Sequence, residues 1–367
     1  MPATAAELLQ ELIRIPSVNP DGDPGTTETG EKRIAEYLAA FLRELGAEVE
    51  LHEVLLERPN VVARFPSGGG DKPRLLLAPH TDTVSIGGMT IVPFGGEIRD
   101  GRIWGRGASD TKGSLAAMLW ALRESRDLLA GLSHEIWFAG LMGEEAGLHG
   151  SKDLAARMSF DFVIVGEPTG LQIVNATKGS TWMTLRARGT AVHASQPHLG
   201  ENAIYKMMDV VRCIRDEIAP SLESLRDPVL GVPTISAGTI RGGTKSNIVP
   251  DFCEANLDMR TVPGQDIESV RARLLAACTD LEIDVWQASP MATSPDHPVI
   301  RVLESCGAEC VTAPWFCDAA SFGERGMPAV ALGPGSIDQA HTKDEFLAQA
   351  DLEAGVDFFK RFFKALM

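Results

Sequence analysis

Histidines and carboxylates recur where apolar segments of the sequence end. His80 and Asp82 directly follow the apolar segment 75–79. A metal-ligating histidine commonly has its second ring nitrogen held by a carboxylate. His80 is therefore a candidate metal ligand, and Asp82 a candidate group for orienting it. A solvent-exposed histidine beside a helix-capping aspartate would have the same sequence, and this pair by itself favours that alternative.

A further carboxylate lies among glycines. Asp110 belongs to the segment GRGASDTKG, residues 105–113, just before a predicted helix. A dinucleotide-binding loop would need glycine in place of Asp110, and a phosphate-binding loop would need serine or threonine in place of Gly113. Both nucleotide interpretations therefore fail. What remains is a carboxylate held between glycines or, equally well, an ordinary helix-capping aspartate.

Two adjacent glutamates follow another predicted strand. Glu144 and Glu145 are flanked by glycines in the segment GEEAG. Adjacent glutamates on a helix surface are usually solvated charges. On a tight loop, however, one carboxylate can bind a metal while its neighbour takes a proton from the attacking water. Glu167 follows a further apolar strand and His341 a turn-rich segment, and each alone is weak evidence.

The set of these residues is more informative than any member. Two histidines and three carboxylates at strand ends predict a mixed nitrogen and oxygen site for two divalent ions, with one carboxylate able to bridge them. None of the six cysteines belongs to the set, which excludes a structural zinc ribbon. No G-x-S-x-G pattern is present, so serine-hydrolase chemistry is not expected.

Helices and strands alternate around these residues. Helices are predicted from Thr4 to before Pro16, at 31–45, at 114–129 and at 150–158, with strands at 49–54, 60–65, 74–78, 135–139, 162–165 and 330–332. Short apolar strands separated by helices predict an α/β fold, with a mostly parallel sheet and helices on both faces.

The middle of the chain has a different order of elements. The predicted elements there are, in order, a strand at 181–188, a helix at 202–217, strands at 234–240 and 254–260, a helix at 267–278 and a strand at 282–288. That order is ferredoxin-like. The C-terminal remainder is too short to bury a good core alone. We therefore expect a catalytic domain of residues 1–177 and 290–367, interrupted by a ferredoxin-like α+β domain of residues 178–289.

The composition of the chain indicates which kinds of partner and which cellular compartment to expect. The 367 residues include 34 basic and 50 acidic side chains, a net charge of −16. That charge argues against nucleic acid or an anionic membrane as a partner. No apolar stretch approaches the ~20 residues of a membrane helix, and the N-terminal segment lacks secretory-signal features. The scattered cysteines indicate a reducing compartment, so we expect a cytoplasmic enzyme.

With these residues in this order, the chain resembles the co-catalytic zinc amidohydrolase and peptidase superfamily. Its members include acetylornithine deacetylase, succinyl-diaminopimelate desuccinylase, aminoacylase-1 and carboxypeptidase G. The resemblance covers essentially the whole chain and rests on the motifs PHTD, GRGASDTKG, GEEAG, GEPTG and AHTKDEF. It implies an α/β catalytic domain interrupted by a ferredoxin-like lid, through which many members form dimers.

The resemblance also implies five ligands for two divalent ions, with zinc as the expected metal and cobalt or manganese as alternatives. The ligands would be His80 and Glu167 on one ion, Glu145 and His341 on the other, and Asp110 between them. Glu144 matches the general base of the superfamily. Asp82 matches the carboxylate that supports the ligands.

Two segments of the expected lid match as well. In GTAVHAS, His193 stands where a superfamily histidine reaches an active site, often that of the partner subunit, and polarises the scissile carbonyl. Asn247 and Arg260 match residues that hold a substrate carboxylate. The resemblance therefore implies a homodimer formed through the lid.

The resemblance therefore implies a metal-dependent hydrolase that removes an N-acyl group, expected to be acetyl, from a small-molecule amino acid such as N-acetylornithine. The segment LGPGSIDQAH is most similar to acetylornithine deacetylases, whereas 315–320 departs from the common pattern and is expected to line the substrate pocket. Alternatives with the same chemistry are a succinyl-diaminopimelate desuccinylase, a dipeptidase and a glutamate carboxypeptidase. A catalytically inactive metal-dependent binding protein is a different class, and such a protein would not need Glu144.

Overall fold

The protein divides into two compact units in the computed structural model, which describes residues 2–367. The first unit contains the chain up to Asn175 together with Ala292–Val311 and Cys317–Met367. The second unit contains Ala176–Met291 and Thr312–Phe316. Within residues 2–367, no helix combines the length and the apolar character that crossing a membrane requires.

Helices and strands alternate through the N-terminal half. They are α1 (Ala5–Ile13), α2 (Lys32–Glu44), β1 (Glu48–Leu55), β2 (Arg58–Arg64), β3 (Arg74–Pro79), β4 (Glu97–Arg99), β5 (Arg102–Trp104), α3 (Lys112–Glu124), α4 (Arg126–Leu129), β6 (Glu135–Gly140), α5 (His149–Arg157), β7 (Phe162–Gly166) and β8 (Ile173–Thr177).

The C-terminal half continues the pattern. Its elements are β9 (Gly179–Arg188), α6 (Ala203–Cys213), α7 (Ala219–Ser221), β10 (Thr234–Gly242), β11 (Phe252–Thr261), α8 (Ile267–Ala277), β12 (Glu282–Ala288), β13 (Met291–Ala292), α9 (Pro298–Ser305), β14 (Cys310–Ala313), α10 (Ala319–Glu324), β15 (Ala329–Ala331), β16 (Phe346–Ala348) and α11 (Gln349–Ala365).

The largest sheet has nine strands, in the order β1-β2-β6-β3-β7-β15-β8-β13, with β14 paired to β8. Its central strands β6, β3, β7 and β15 are parallel, and the strands towards its edges add antiparallel pairs. Both faces are covered: Leu75 and Leu77 belong to the core that includes α1, α3 and α11, and Leu76 on the opposite face is fully buried too. The predicted α/β fold is confirmed.

The second unit has a four-stranded antiparallel sheet in the order β10-β11-β9-β12. The chain order β9-α6-β10-β11-α8-β12 is the ferredoxin-like order that the sequence predicts. One face of the sheet buries Met183, Leu185 and Leu257 with residues of α6 and α8. The helix predicted at 202–217 is α-helical only to Cys213 and continues as one π-helical turn, Ile214–Ile218.

A third, small sheet has the order β16-β5-β4 and was not predicted. Its strands are three residues long, which is too short for the alternation that identifies a strand in sequence. Phe346 pairs with Trp104, so the small sheet joins two distant segments. The loop that carries Asp110 begins after β5, and His341 precedes β16. The small sheet therefore brings the Asp110 and His341 loops together.

Candidate metal centre

The ends of three neighbouring parallel strands supply most of the candidate site. β6, β3 and β7 are adjacent, and they lead into the Glu144–Glu145 loop, His80 and Glu167 respectively. Pro79 of β3 pairs with Gly166 of β7, so His80 and Glu167 leave the sheet side by side. The carboxyl ends of parallel strands share one edge of a sheet, where sites are commonly built. This arrangement explains why sequence position alone predicted these residues.

The five residues expected to bind metal come together in the first unit. Three groups have ligand atoms within 4.8 Å of one another: His80, Asp110 and Glu167; Asp110, Glu145 and His341; and His80, Glu144 and Glu145. The first two groups share Asp110. Asp110 is therefore common to two candidate ligand groups. The third group contains both Glu144 and Glu145.

The two histidines flank Asp110. His80 Nε2 lies 3.1 Å from Asp110 Oδ1, and His341 Nε2 lies 3.4 Å from Asp110 Oδ2 and 3.0 Å from Glu145 Oε2. Hydrogen bonds to Asp110 and Glu145 raise the pKa of His341 to about 10. Burial opposes the charge of His80, but hydrogen bonds to Asp110 and Asp82 outweigh it and raise its pKa well above the usual value. Each carboxylate oxygen of Asp110 therefore lies close to a histidine ring nitrogen, an arrangement that fits the binding of a cation.

Asp82 contacts both His80 and the loop of the two glutamates. His80 Nδ1 lies 3.0 Å from the backbone carbonyl oxygen of Asp82 and 3.5 Å from its carboxylate. The carboxylate also accepts hydrogen bonds from the backbone N–H of Glu144 at 3.0 Å and of Glu145 at 3.1 Å, and from Asn19 Nδ2 at 2.8 Å. Asp82 therefore fixes the loop on which both glutamates lie.

The buried carboxylates of the site lack enough positive charge around them. Burial raises the pKa of Glu144 and Glu167 well above the ordinary value, and burial together with the charge of Asp110 raises the pKa of Glu145 to about 7. Glu145 Oε1 and Glu167 Oε1 are buried without a hydrogen-bond partner among the described residues. Buried charges require pairing or metal coordination. These oxygens fit two divalent cations.

An ion pair that the sequence analysis did not single out braces the Asp110 loop. The buried Glu345 carboxylate accepts hydrogen bonds from Arg106 Nη1 at 2.8 Å and from the backbone N–H groups of Gly107, Ser109 and Asp110 at 2.8–2.9 Å. Arg106 also donates to the backbone carbonyl oxygens of residues 85 and 342. One pair thus links the loops that carry Asp82, Asp110 and His341.

Glu345→Gln should lower the affinity for metal by about 10- to 100-fold, the usual effect of losing a group behind a metal ligand. The amide can accept fewer of the four hydrogen bonds and turns an NH₂ group towards a donor. Competition with a chromogenic chelator measures the affinity. Glu353→Gln, an exposed position on α11, is the matched control. Unchanged metal affinity in folded Glu345→Gln protein would contradict the bracing role.

Asp318 is a further carboxylate that the sequence analysis did not name. It is fully buried at the start of α10, and burial raises its pKa to about 7. Its charge contributes to the raised pKa of both Glu144 and Glu167. Asp318 lies within 315–320, the segment expected to line a substrate pocket. That position was the only feature of the sequence that pointed to Asp318 as a residue near the site. The adjacent Cys317 is buried, and all six cysteines are free.

The remaining predicted site residues lie in the second unit. The loop of His193 pairs with the loop of Asn247. The Ala194 N–H donates to the backbone oxygen of Asn247 at 3.0 Å, and the backbones of His193 and Ile248 form an antiparallel β-bridge. Arg260 lies on β11. Within residues 2–367, no hydrogen bond or ion pair joins Arg260 to His193 or Asn247.

Comparison with known proteins identifies the family. Residues 76–365 match the model of peptidase family M20/M25/M40. An acetylornithine deacetylase of Proteus mirabilis is 32% identical, over 95% of this chain and 93% of the relative. A solved M20 family metallo-carboxypeptidase from Sulfolobus solfataricus is 22% identical with a TM-score of 0.80, covering 100% of this chain and 99% of that chain.

A second solved structure bears on the metal content of related proteins. It is a dinuclear metal-binding peptidase of the M20 family from Bacillus subtilis, 14% identical, with a TM-score of 0.69 and coverage of 98% of this chain and 96% of that chain. At 14% identity, the similarity to this structure shows the fold alone. The family assignment rests on the matched family model and on the full-length relatives. The chain belongs to peptidase family M20/M25/M40 and is a hydrolase of amide bonds.

Proposed function

We propose that this hydrolase is a dinuclear metal enzyme that removes the acetyl group from an N-acetylated amino acid, with N-acetylornithine as the first substrate to test. The observation that carries the proposal is the pair of ligand groups that share Asp110. The relatives named acetylornithine deacetylase, about 30% identical over nearly the full length, support the substrate. The family as a whole is metal-dependent.

In this proposal the ligands are His80 and Glu167 for one ion, Glu145 and His341 for the other, and Asp110 for both. Zinc is the expected metal, since imidazole and carboxylate are ligands that it accepts readily. Ions bound there would polarise the amide carbonyl and lower the pKa of the attacking water. The two unpaired oxygens of Glu145 and Glu167 support this assignment.

Glu144 is the proposed general base. It takes a proton from the attacking water and delivers a proton to the leaving amine. Its backbone N–H is fixed by Asp82, and burial raises the pKa of its carboxyl, so the carboxylate is a stronger proton acceptor than an ordinary glutamate. A protein that only bound its ligand would not need such a group, and this argues against the alternative of an inactive binding protein.

The second unit is proposed to act as the lid, with bounds near 178–289, and as the dimerisation surface. His193 would polarise the substrate carbonyl, while Asn247 and Arg260 would hold the substrate carboxylate. Support for the dimer comes from the edge strand β10, which is exposed along most of its length, and from Tyr205 and Met208, whose side chains are 67% and 56% exposed. Such an edge is a template for pairing with a second chain.

Removal of metal should abolish hydrolysis of N-acetylornithine, and two equivalents of zinc per chain should restore it. Plasma emission analysis gives the metal content, and quantification of the released acetate gives the activity. Full activity with one equivalent, or activity in metal-free protein, would contradict the dinuclear proposal. N-succinyl-diaminopimelate, dipeptides and N-acyl glutamates assayed in parallel test the other amidase specificities. Metal binding without hydrolysis of any substrate would favour the binding protein.

A further inference from the structure

Arg260 is held in one orientation by a carboxylate on its own strand. Met259 is fully buried with the helix-covered face of the sheet, so Asp258 and Arg260 point to the opposite face. Arg260 Nε donates to Asp258 Oδ1 at 2.9 Å, and Nη2 donates to Asp258 Oδ2 at 3.0 Å. This two-point geometry fixes the plane of the guanidinium as well as its position.

Asp258 is in turn held from the neighbouring strand. Trp182 of β9 lies directly opposite Asp258 in the register, and its indole Nε1 donates to Asp258 Oδ2 at 2.9 Å. The Trp182 ring stacks on Trp286 with centroids 4.5 Å apart, which limits rotation of the indole. Phe316 packs against both rings and lies 6.0 Å from the guanidinium of Arg260. The orientation of Arg260 therefore depends on its bonds to Asp258 and, through Asp258, on the Trp182 indole.

The guanidinium retains binding capacity in this arrangement. It has five N–H groups, two of which bond to Asp258, and no other hydrogen bond of Arg260 occurs within residues 2–367. The Arg260 side chain is 30% exposed, so its outer edge is accessible. A fixed guanidinium with a free edge matches a second carboxylate, which planar arginine binds through two parallel hydrogen bonds.

We propose that Asp258 and Trp182 are positioning residues that set the Arg260 guanidinium for the carboxylate of the N-acyl amino acid. This inference rests on the proposed function, in which Arg260 binds that carboxylate. Because the contacts act on binding and not on the bond being broken, their loss should raise KM and leave kcat unchanged. The effect should also require a carboxylate on the substrate.

Trp182→Phe tests the proposal with the smallest change, because it keeps an aromatic ring on Trp286 and removes the N–H donor. We expect KM for N-acetylornithine to rise about tenfold, the scale of one hydrogen bond to a charged group, with kcat unchanged. KM for the same substrate with its carboxylate converted to a primary amide should not change. Trp137→Phe, which removes an indole donor to Glu135 in the first unit, is the matched control and should behave as wild type.

A double-mutant cycle separates positioning from a merely structural effect. In an Arg260→Met background, which should itself raise KM, Trp182→Phe should have no further effect. Asp258→Asn should raise KM in wild-type protein and likewise have no effect with Arg260→Met. If Arg260→Met raises KM but Trp182→Phe does not, or if the two effects add, the positioning role is overturned and the proposed function stands. If Arg260→Met leaves KM unchanged, the proposed role of Arg260 fails and this inference with it. If wild-type protein hydrolyses no N-acyl amino acid, the proposed function itself fails.

Discussion

Glu144→Gln should reduce kcat for N-acyl amino acid hydrolysis by about 10²–10⁴-fold, the scale of a lost general base, while two metal ions per chain remain bound. Glutamine has nearly the same size and keeps the backbone N–H that Asp82 holds. It cannot accept the proton of the attacking water. Initial rates and plasma emission analysis on the same preparation measure the two quantities.

Glu145→Gln is the matched comparison for this experiment. The two glutamates are adjacent and both partly buried, but Glu145 lies 3.0 Å from His341 and belongs with Asp110 and His341 in one ligand group. Its replacement should lower metal content as well as activity. His80, Glu144 and Glu145 also form a group of possible ligands. If Glu144→Gln lost metal in proportion to activity, Glu144 would be a ligand and the proposed roles would have to be exchanged.

His193→Ala should reduce kcat by about 10²–10³-fold, as does loss of one donor to a developing oxyanion, with no change in metal content. The reason is that the proposed contact forms with charge that develops during the reaction and not with the proposed metal ligands, all of which lie in the first unit. His198→Ala, an exposed histidine five positions further along the chain, is the control and should keep wild-type activity. Wild-type kcat in His193→Ala would remove this residue from the mechanism.

Mixing inactive variants tests whether His193 serves the neighbouring subunit. Glu144→Gln and His193→Ala proteins are combined under conditions of verified subunit exchange, and activity is measured against each protein alone. Recovery is expected if each site takes its histidine from the other chain, since a mixed dimer then has one site with both residues intact. No recovery would mean that His193 acts within its own chain or that the protein is a monomer.

Local sequence patterns predicted most of the fold, because the spacing of apolar residues over a short stretch distinguishes a strand from a helix. The ends of apolar strands also predicted where His80 and Glu167 would meet. The Arg106–Glu345 pair could not be predicted in this way, since its members are 239 positions apart and only the folded chain brings them together. The hydrogen bonds of Asp82 with the Glu144 loop were missed for the same reason, as they depend on the path of that loop.

The position of His341 after the second unit in the chain has a consequence for biogenesis. β15 lies between β7 and β8 in the large sheet, and His341, β16 and α11 come after it. Protein synthesis proceeds from the N-terminus, so most of the second unit leaves the ribosome while the first unit still lacks a central strand. The group of Asp110, Glu145 and His341 cannot form until His341 has been made. The group is therefore completed only after the second unit has been synthesised, and a truncation before His341 would remove it.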